Sequence, residues 1–543
     1  MDAQKKPGSF EDEQPHIVEN STIFSEDDSK DSKNEKPKKR AGGYGKIIAM
    51  LSGVCVVIAA AITCTLLFWE VPESEDTSSS ASSEAIEIIS EKVNTDEIKI
   101  KNENGDFTLK KYTETVTETT TSGDTTTAAP TTQKKYKLVG FDKYQMSADE
   151  VTDVANTLVP MKAESKLSGE WTDDRLGLDK PVLTAVVGDV TLTVGKTSGM
   201  GDQRYCRVSG DNNIYLISGD VYDKLNFKPS ELVDTNLITA LSEDNFSDYF
   251  ASGTLVAFDS IELSGINFSS PVKISCKNSK SDVSSFVVTS PKSFYADMSK
   301  IETLLTPLSS GFTATNGYEL ITDSTDLKKY GLDNPQYIFT YKLGSSTFKI
   351  ELSKKGVIDD GVYACRVNNG NVIYSCNTDN ISFIVDKIDD LRSTILFSVS
   401  IKEVDTFTVE YNGKSATYDI GLEKVKDDDG NEKEQTVVRS MSGEELDTES
   451  FQNVYMALAS VSPSSYGEDS GKLTQSPYLK ITLKMNDKST QTVKFIKYDD
   501  RYYRMYLNDI GDQLINYTAV ERLVSYFEKF AAGEKVDSPA LYD

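Results

Sequence analysis

The sequence predicts an α+β protein: a single transmembrane helix followed by three related units, each running β-hairpin, helix, antiparallel strands and short helix. Three observations predict it. The run from Ile47 to Trp69 carries no charged residue; short segments alternating apolar and polar residues open each of three later stretches; and Leu176-Gly177-Leu178-Asp179-Lys180-Pro181 returns as Tyr330-Gly331-Leu332-Asp333-Asn334-Pro335.

At 1.5 Å rise per residue the apolar run is long enough to cross a hydrocarbon core of about 30 Å. Lys36, Lys38, Lys39, Arg40 and Lys46 precede it, and Glu70, Glu73, Glu75 and Asp76 follow it. Because positive flanks stay in the cytosol, the expected location is a cell membrane, single-pass, with the N-terminus cytosolic and the C-terminal ectodomain outside. A cleaved signal peptide fits less well, since the run starts after residue 46 and no Ala-x-Ala site stands directly behind it. Residues 1–46 are polar and read as a disordered cytosolic tail, 47–69 as the transmembrane helix, and 70–95 as an acidic, Ser-rich tether.

The rest divides into unit 1 at 96–245, unit 2 at 250–395, unit 3 at 397–532 and a C-terminal tail at 533–543. Asp96-Glu97-Ile98-Lys99-Ile100, Asp259-Ser260-Ile261-Glu262-Leu263 and Asp405-Thr406-Phe407-Thr408-Val409 alternate with the period of a half-buried strand. Asn104-Gly105 and Asn412-Gly413 supply the turn of a tight hairpin. A Thr-rich insertion, about Thr113 to Thr132, and an acidic one, Asp427 to Glu434, precede the helices of units 1 and 3. Ser147 and Glu150 form a capping box ahead of Val151, Val154, Ala155 and Leu158. In unit 2, Ser299 and Glu302 take that role, with Met298, Ile301, Leu304, Leu305 and Leu308 apolar. Phe451, Val454, Tyr455 and Leu458 mark the helix of unit 3. Val520, Leu523, Val524 and Phe527 mark its closing helix.

In the second half of each unit, Gly allows a sharp turn and Pro stands at a strand start. Cys206-Arg207-Val208 with Tyr215 matches Cys365-Arg366-Val367 with Tyr374 at equal spacing; unit 3 keeps Pro477 and Tyr503-Arg504-Met505 without the Gly-Leu-Asp element. These residues, above all the stretches YGLDNP and YACRVNNGNVIYS, resemble a bacterial family of membrane-anchored ectodomain proteins catalogued as domain of unknown function 4340. The resemblance covers units 1 and 2 and is weak over unit 3. It implies a repeated α+β ectodomain and, in some relatives, association with export-type ABC transporters. It implies no catalytic residue.

The formal net charge of −27 argues against nucleic acid, anionic polymers and anionic lipid as general partners, although a highly solvated surface explains the same charge and is the plainer reading. His16, in the tail, is the only histidine; the ectodomain therefore has no His-based triad, His-ligated zinc or histidine acid/base. Ser346-Thr347-Phe348-Lys349 lies in an expected strand that points its two ends to opposite faces. Gly195-Lys196-Thr197 lacks the first glycine of a phosphate loop and reads as a strand end. Asp427-Asp428-Asp429-Gly430 lacks the first ligand and the closing Glu of a calcium loop. Cys206, Cys276, Cys365 and Cys376 read as reduced thiols, with Cys365 and Cys376 placed diagonally across a ladder.

Neither catalytic residues nor a cofactor or metal site is assigned. Tyr498, Arg501, Tyr502, Tyr503, Arg504 and Tyr506 form the candidate contact surface, because Tyr and Arg concentrate at interface hot spots; an edge strand filled with the same residues is the plainer reading. The expected function is a non-enzymatic, membrane-anchored extracytoplasmic binding or scaffolding protein, a candidate accessory to an export-type ABC transporter. Alternatives are a cell-wall or glycan-active enzyme using paired carboxylates, and a surface adhesin.

Overall fold

The central seam of each sheet is built from residues that alternate buried and exposed, so one strand face is forced inward. The computed structural model describes residues 86–122, 125–199, 201–277, 284–426, 432–467, 475–537 and 540–542. The expected transmembrane helix at 47–69 and the tail at 1–46 lie outside the described residues. Among those described, no helix is long and apolar enough to cross a membrane.

The α+β expectation is corrected: strands hold more than twice as many described residues as helices, and the fold is predominantly β. Two causes account for the difference. The Thr-rich stretch is not an insertion but two long paired strands, Gly105–Ser122 and Thr125–Leu138, as the strand preference of β-branched threonine allows. The acidic stretch likewise extends the hairpin of Lys414–Lys426 with Glu432–Ser440, residues 427–431 lying outside the described set.

Three large antiparallel sheets share one order of eight strands, to which the second adds the edge strand Phe294–Tyr295. In the first, the meander Glu97–Asn102, Gly105–Ser122 and Thr125–Leu138 is followed by helix Ala148–Leu158 and the edge strand Ser165–Lys166. A second meander then runs through Leu183–Val187, Val190–Thr197, Arg204–Val208 and Tyr215–Ile217. The first strand of one meander pairs with the first of the other. Ile98 thus opposes Val187, Ile261 opposes Tyr341, and Val409 opposes Ile481, and all six are fully buried. Each sheet lays its apolar face on a helix: Ala148–Leu158, Met298–Ser309 or Thr448–Ala459. The closing elements differ. They are a short helix Gly219–Leu225 in the first, 3₁₀ turns Thr378–Asn380 and Ile388–Leu391 in the second, and the 15-residue helix Tyr517–Ala531 in the third.

Local chemistry explains the boundaries. Ser147 accepts a hydrogen bond from the Glu150 amide at 3.2 Å, as an N-cap does. In the second sheet the cap is Asp297, not Ser299: its carboxylate accepts from the Ser299 and Lys300 amides. Asn412 and Gly413 both take positive φ, 50° and 73°, between the paired Tyr411 and Lys414, the geometry of a two-residue hairpin loop. Residues 86–95, placed with the tether, instead contribute strand Ile86–Ile89, which pairs with Met161–Ala163.

The repeated Gly-Leu-Asp element folds over the sheet face away from the helix. Gly177 and Gly331 end short turns in the left-handed conformation, φ 74° and 66°, which a side chain disfavours. Leu176 and Leu178 then pack on Ile214, and Tyr330 and Leu332 on Ala364 and Ile373. Gly195 lies directly beneath: a Cβ there would run into the Leu176 carbonyl oxygen.

Residues 83–543 form one compact unit, and its second and third sheets are joined by a buried ion pair. Arg392 lies between the rings of Phe294, 4.0 Å from the guanidinium, and Tyr466, at 4.2 Å. It binds Asp389 at 3.0 Å and the fully buried Asp512 of the third sheet. The Tyr295 hydroxyl donates to the Leu507 carbonyl, 3.4 Å away, across the same junction.

Two outcomes are expected in chemical denaturation. Gly195→Ala lowers the midpoint by the equivalent of about 1–3 kcal/mol, because backbone cannot yield as a side-chain tip does; an unchanged midpoint contradicts the close approach. Arg392→Ala costs about 3–5 kcal/mol by stranding Asp512, and adding Asp512→Ala recovers part of that loss. Additive losses from the two changes would show that the charges are not coupled.

Candidate functional site

Tyr318 is turned out of its sheet by one irregularity in the ladder. Strand Asn316–Leu320 pairs Gly317 with Tyr374 and Glu319 with Ile373, leaving Tyr318 as the extra residue of a bulge; bulges re-aim side chains in this way. Its inward neighbour Gly317 presses on the first sheet's 3₁₀ turn Pro229–Leu232, where a Cβ would collide with the Ser230 carbonyl and the Val233 side chain. The Tyr144 hydroxyl donates to the Ile321 carbonyl at 3.2 Å, and the Asn371 amide to the Lys143 carbonyl at 3.3 Å. These contacts join the first and second sheets and leave a groove between them.

The groove has a volume of about 900 Å³, and its walls come from well-separated parts of the chain, among them Asn104, Lys228, Glu231, Tyr318, Glu319 and Asp359. Asn104 sits at the first hairpin turn. Its amide donates to the Asn226 carbonyl at 2.8 Å, while buried Asn102 donates to Leu225 and Phe227 at 3.0 and 3.1 Å. The Glu231 carboxylate accepts from the Lys228 amide at 2.9 Å. On the opposite wall Tyr318, 36% exposed, meets Tyr330 edge to face at 6.1 Å. The Lys329 amine donates to the Tyr330 hydroxyl, which donates to Glu319, each at 3.3 Å. The hydrogen bond to Tyr330 holds the Lys329 amine above its ordinary value.

The groove therefore offers two ammonium groups, three carboxylates, amides and the rings of Phe141, Tyr144 and Tyr318 within one open depression. Such an arrangement can hold a ligand by hydrogen bonds and ring contact. Among the described residues no group of three or more His, Cys, Asp or Glu side chains could hold a metal ion.

The Tyr-Arg strand does not form the expected surface as a unit. Tyr502–Leu507 is an inner strand, paired on both sides, not an edge. Tyr503, Arg504 and Tyr506 are buried. Tyr503 stacks between Tyr478 at 4.9 Å and Tyr517 at 5.4 Å, and the Tyr503 and Tyr478 hydroxyls donate to Glu521 at 3.0 and 2.7 Å. Burial first, then the Glu521 carboxylate, pushes both phenols well above their ordinary value. The Arg504 guanidinium lies 4.8 Å from the Tyr498 ring. Only Tyr498 and Arg501 are exposed, with Tyr502 half-buried beside Arg501.

The repeated Cys-Arg-Val strand is structural. Cys206 and Cys365 face the cores and are fully buried; burial pushes the Cys206 thiol up to about 12 and the Cys365 thiol upward as well. Cys365 opposes Tyr374 while Cys376 opposes Tyr363, the diagonal placement expected, and the four described cysteines are free thiols. The arginines point the other way. Arg207 pairs with Asp173 at 2.6 Å, and Arg366 with the buried Glu351 at 2.6 Å, where Lys349 adds a second bond at 2.7 Å. Burial pushes the Glu351 carboxyl up, but its bonds to Arg366 and Lys349 prevail and hold it below the ordinary carboxylate value.

The groove residues were missed in the sequence because they lie far apart in it. One signal was present: a glycine inside a strand, Gly317, marks a close backbone approach. The sequence profile described as Domain of unknown function (DUF4340) matches residues 137–250 and 287–479, more than half of the chain. Those segments reach from the first sheet through the opening meander of the third, so the likeness extends beyond the two units that carried the resemblance. Nothing matches among curated proteins or among solved structures. The chain belongs to the DUF4340 family.

A carboxyl held low in the folded state adds stability above its unfolded value, about 4.3, and that contribution disappears as pH falls through the lowered value. Glu351→Gln is therefore expected to flatten part of the loss of denaturant midpoint between about pH 5 and pH 3. Identical acid slopes in both proteins would contradict the assignment.

Proposed function

We propose that this member of the DUF4340 family is a non-enzymatic, membrane-attached extracytoplasmic binding or scaffolding protein that works beside an export-type ABC transporter. The observation that carries this reading is the groove between the first and second sheets, whose walls hold ligand-binding groups on backbone fixed by the Gly317 approach. Sites built on rigid elements bind with little ordering cost. The apolar run at 47–69, with its basic flank before and acidic flank after, supports attachment with the three sheets on the outer side of the membrane. The absence of histidine after His16 supports binding over acid/base chemistry.

Intact cells treated with a membrane-impermeant, amine-reactive crosslinker test both parts of the reading. Lys99, Lys101 and Lys414 expose well over half of their side chains, so the chain is expected to react and to become linked to transporter subunits. Failure of these lysines to react in intact cells, with reaction after lysis, would contradict the location. Reaction without enrichment of any transporter subunit would contradict the partnership.

A further inference from the structure

The chemistry of the groove narrows the ligand class, an inference that rests on reading the groove as a ligand site. Most small-molecule pockets are lined chiefly by apolar side chains. This one is lined mainly by polar ones, with Asn104, Lys228, Glu231, Asn316 and Asp359 all exposed to solvent. An apolar tail or hydrophobic peptide would leave these groups facing hydrocarbon, an arrangement that desolvation disfavours. A polyanion would meet Glu231, Glu319 and Asp359 and the field of a chain of net charge −27. A polycation would meet Lys228 and Lys329 on opposite walls.

What fits is an uncharged ligand whose polar groups both donate and accept. Hydroxyls do this, and the walls carry both donors, the lysine amines and the Asn316 amide, and acceptors, the carboxylates and the Asn104 and Asn316 side-chain carbonyls, the Asn104 amide being already bonded to the Asn226 and Phe227 carbonyls. Tyr318 supplies the remaining requirement: a ring, propped edge-on by Tyr330, that can pack against the C–H face of a sugar. The volume, about 900 Å³, lies at the upper end of the range for ligand sites, about 300–1,000 Å³, more than one monosaccharide needs. We propose that the groove binds a neutral glycan chain, with Tyr318 as the stacking platform and Glu319, Asn104 and Asn316 as hydroxyl partners.

Titration calorimetry on the purified full-length chain in detergent tests this independently of cellular location or transporter partner. The probes are β-1,4-glucan hexamer and chitin hexamer as neutral glycans, a galacturonic acid hexamer as anion and hexalysine as cation. At least one neutral hexamer is expected to bind more tightly than either charged probe. Tyr318→Ala is expected to weaken that binding about tenfold or more, and Glu319→Gln to weaken it as well, each with an unchanged melting temperature. Tyr498→Ala, which removes an exposed tyrosine of the third sheet, should leave it unchanged. Binding of neither neutral hexamer, tighter binding of a charged probe, or neutral binding that Tyr318→Ala does not alter would each overturn the proposal.

Discussion

The close approach of Gly317 to the Ser230–Val233 turn is the contact on which the rest of the groove depends. Backbone meets backbone there, and the missing Cβ lets the edge strand of the second sheet sit flush against the first. A flush edge removes the freedom of the two sheets to slide, and the bulge beside it then has one direction in which to turn Tyr318. Tyr144 and Asn371 fasten the junction by hydrogen bonds at one end of that edge strand, where the Ile321 amide donates to the Asn371 carbonyl. The groove lies beside a junction that also pairs Asn236–Ile238 with Phe312–Thr313 and buries Tyr144, Val233 and Ile238 in the core of the second sheet.

The second and third sheets meet by a different kind of contact. Arg392 is stripped of water between two aromatic rings and answered by Asp389 and Asp512. Burying charge costs free energy that a well-packed apolar pair would not, so such pairs specify geometry more than they stabilise. Its neighbours, Val287, Tyr295, Leu396 and Phe397, join the core of the third sheet. The apolar contact supplies the attraction, and the ion pair fixes which residues face each other. One junction leaves a polar groove and the other is sealed, although both join the same strand order.

Much of this was legible in the sequence where local chemistry decides. Alternation found the opening strands, Gly177 and Gly331 marked the left-handed turns, and Asn412-Gly413 marked its hairpin. The long ribbon of Gly105–Ser122 with Thr125–Leu138 was not legible, because its outer part pairs only with itself and the Thr-rich sequence there carries no apolar alternation. Tyr503 and Tyr506 looked like surface because the sequence places Tyr and Arg side by side; the strand is buried on both faces, and such a strand loses its alternation. The groove was invisible for the same reason. Asn104, Lys228, Tyr318 and Asp359 become neighbours only where the first and second sheets meet.

Hydrogen–deuterium exchange on the full-length chain, with and without a neutral oligosaccharide hexamer, tests the central claim most directly, since it locates the ligand on the fold rather than measuring only that it binds. The account predicts slowed exchange confined to the groove, at 228–233 and 316–320, with 502–507 unchanged. Protection at the Tyr-Arg strand, or none at 316–320, would contradict it.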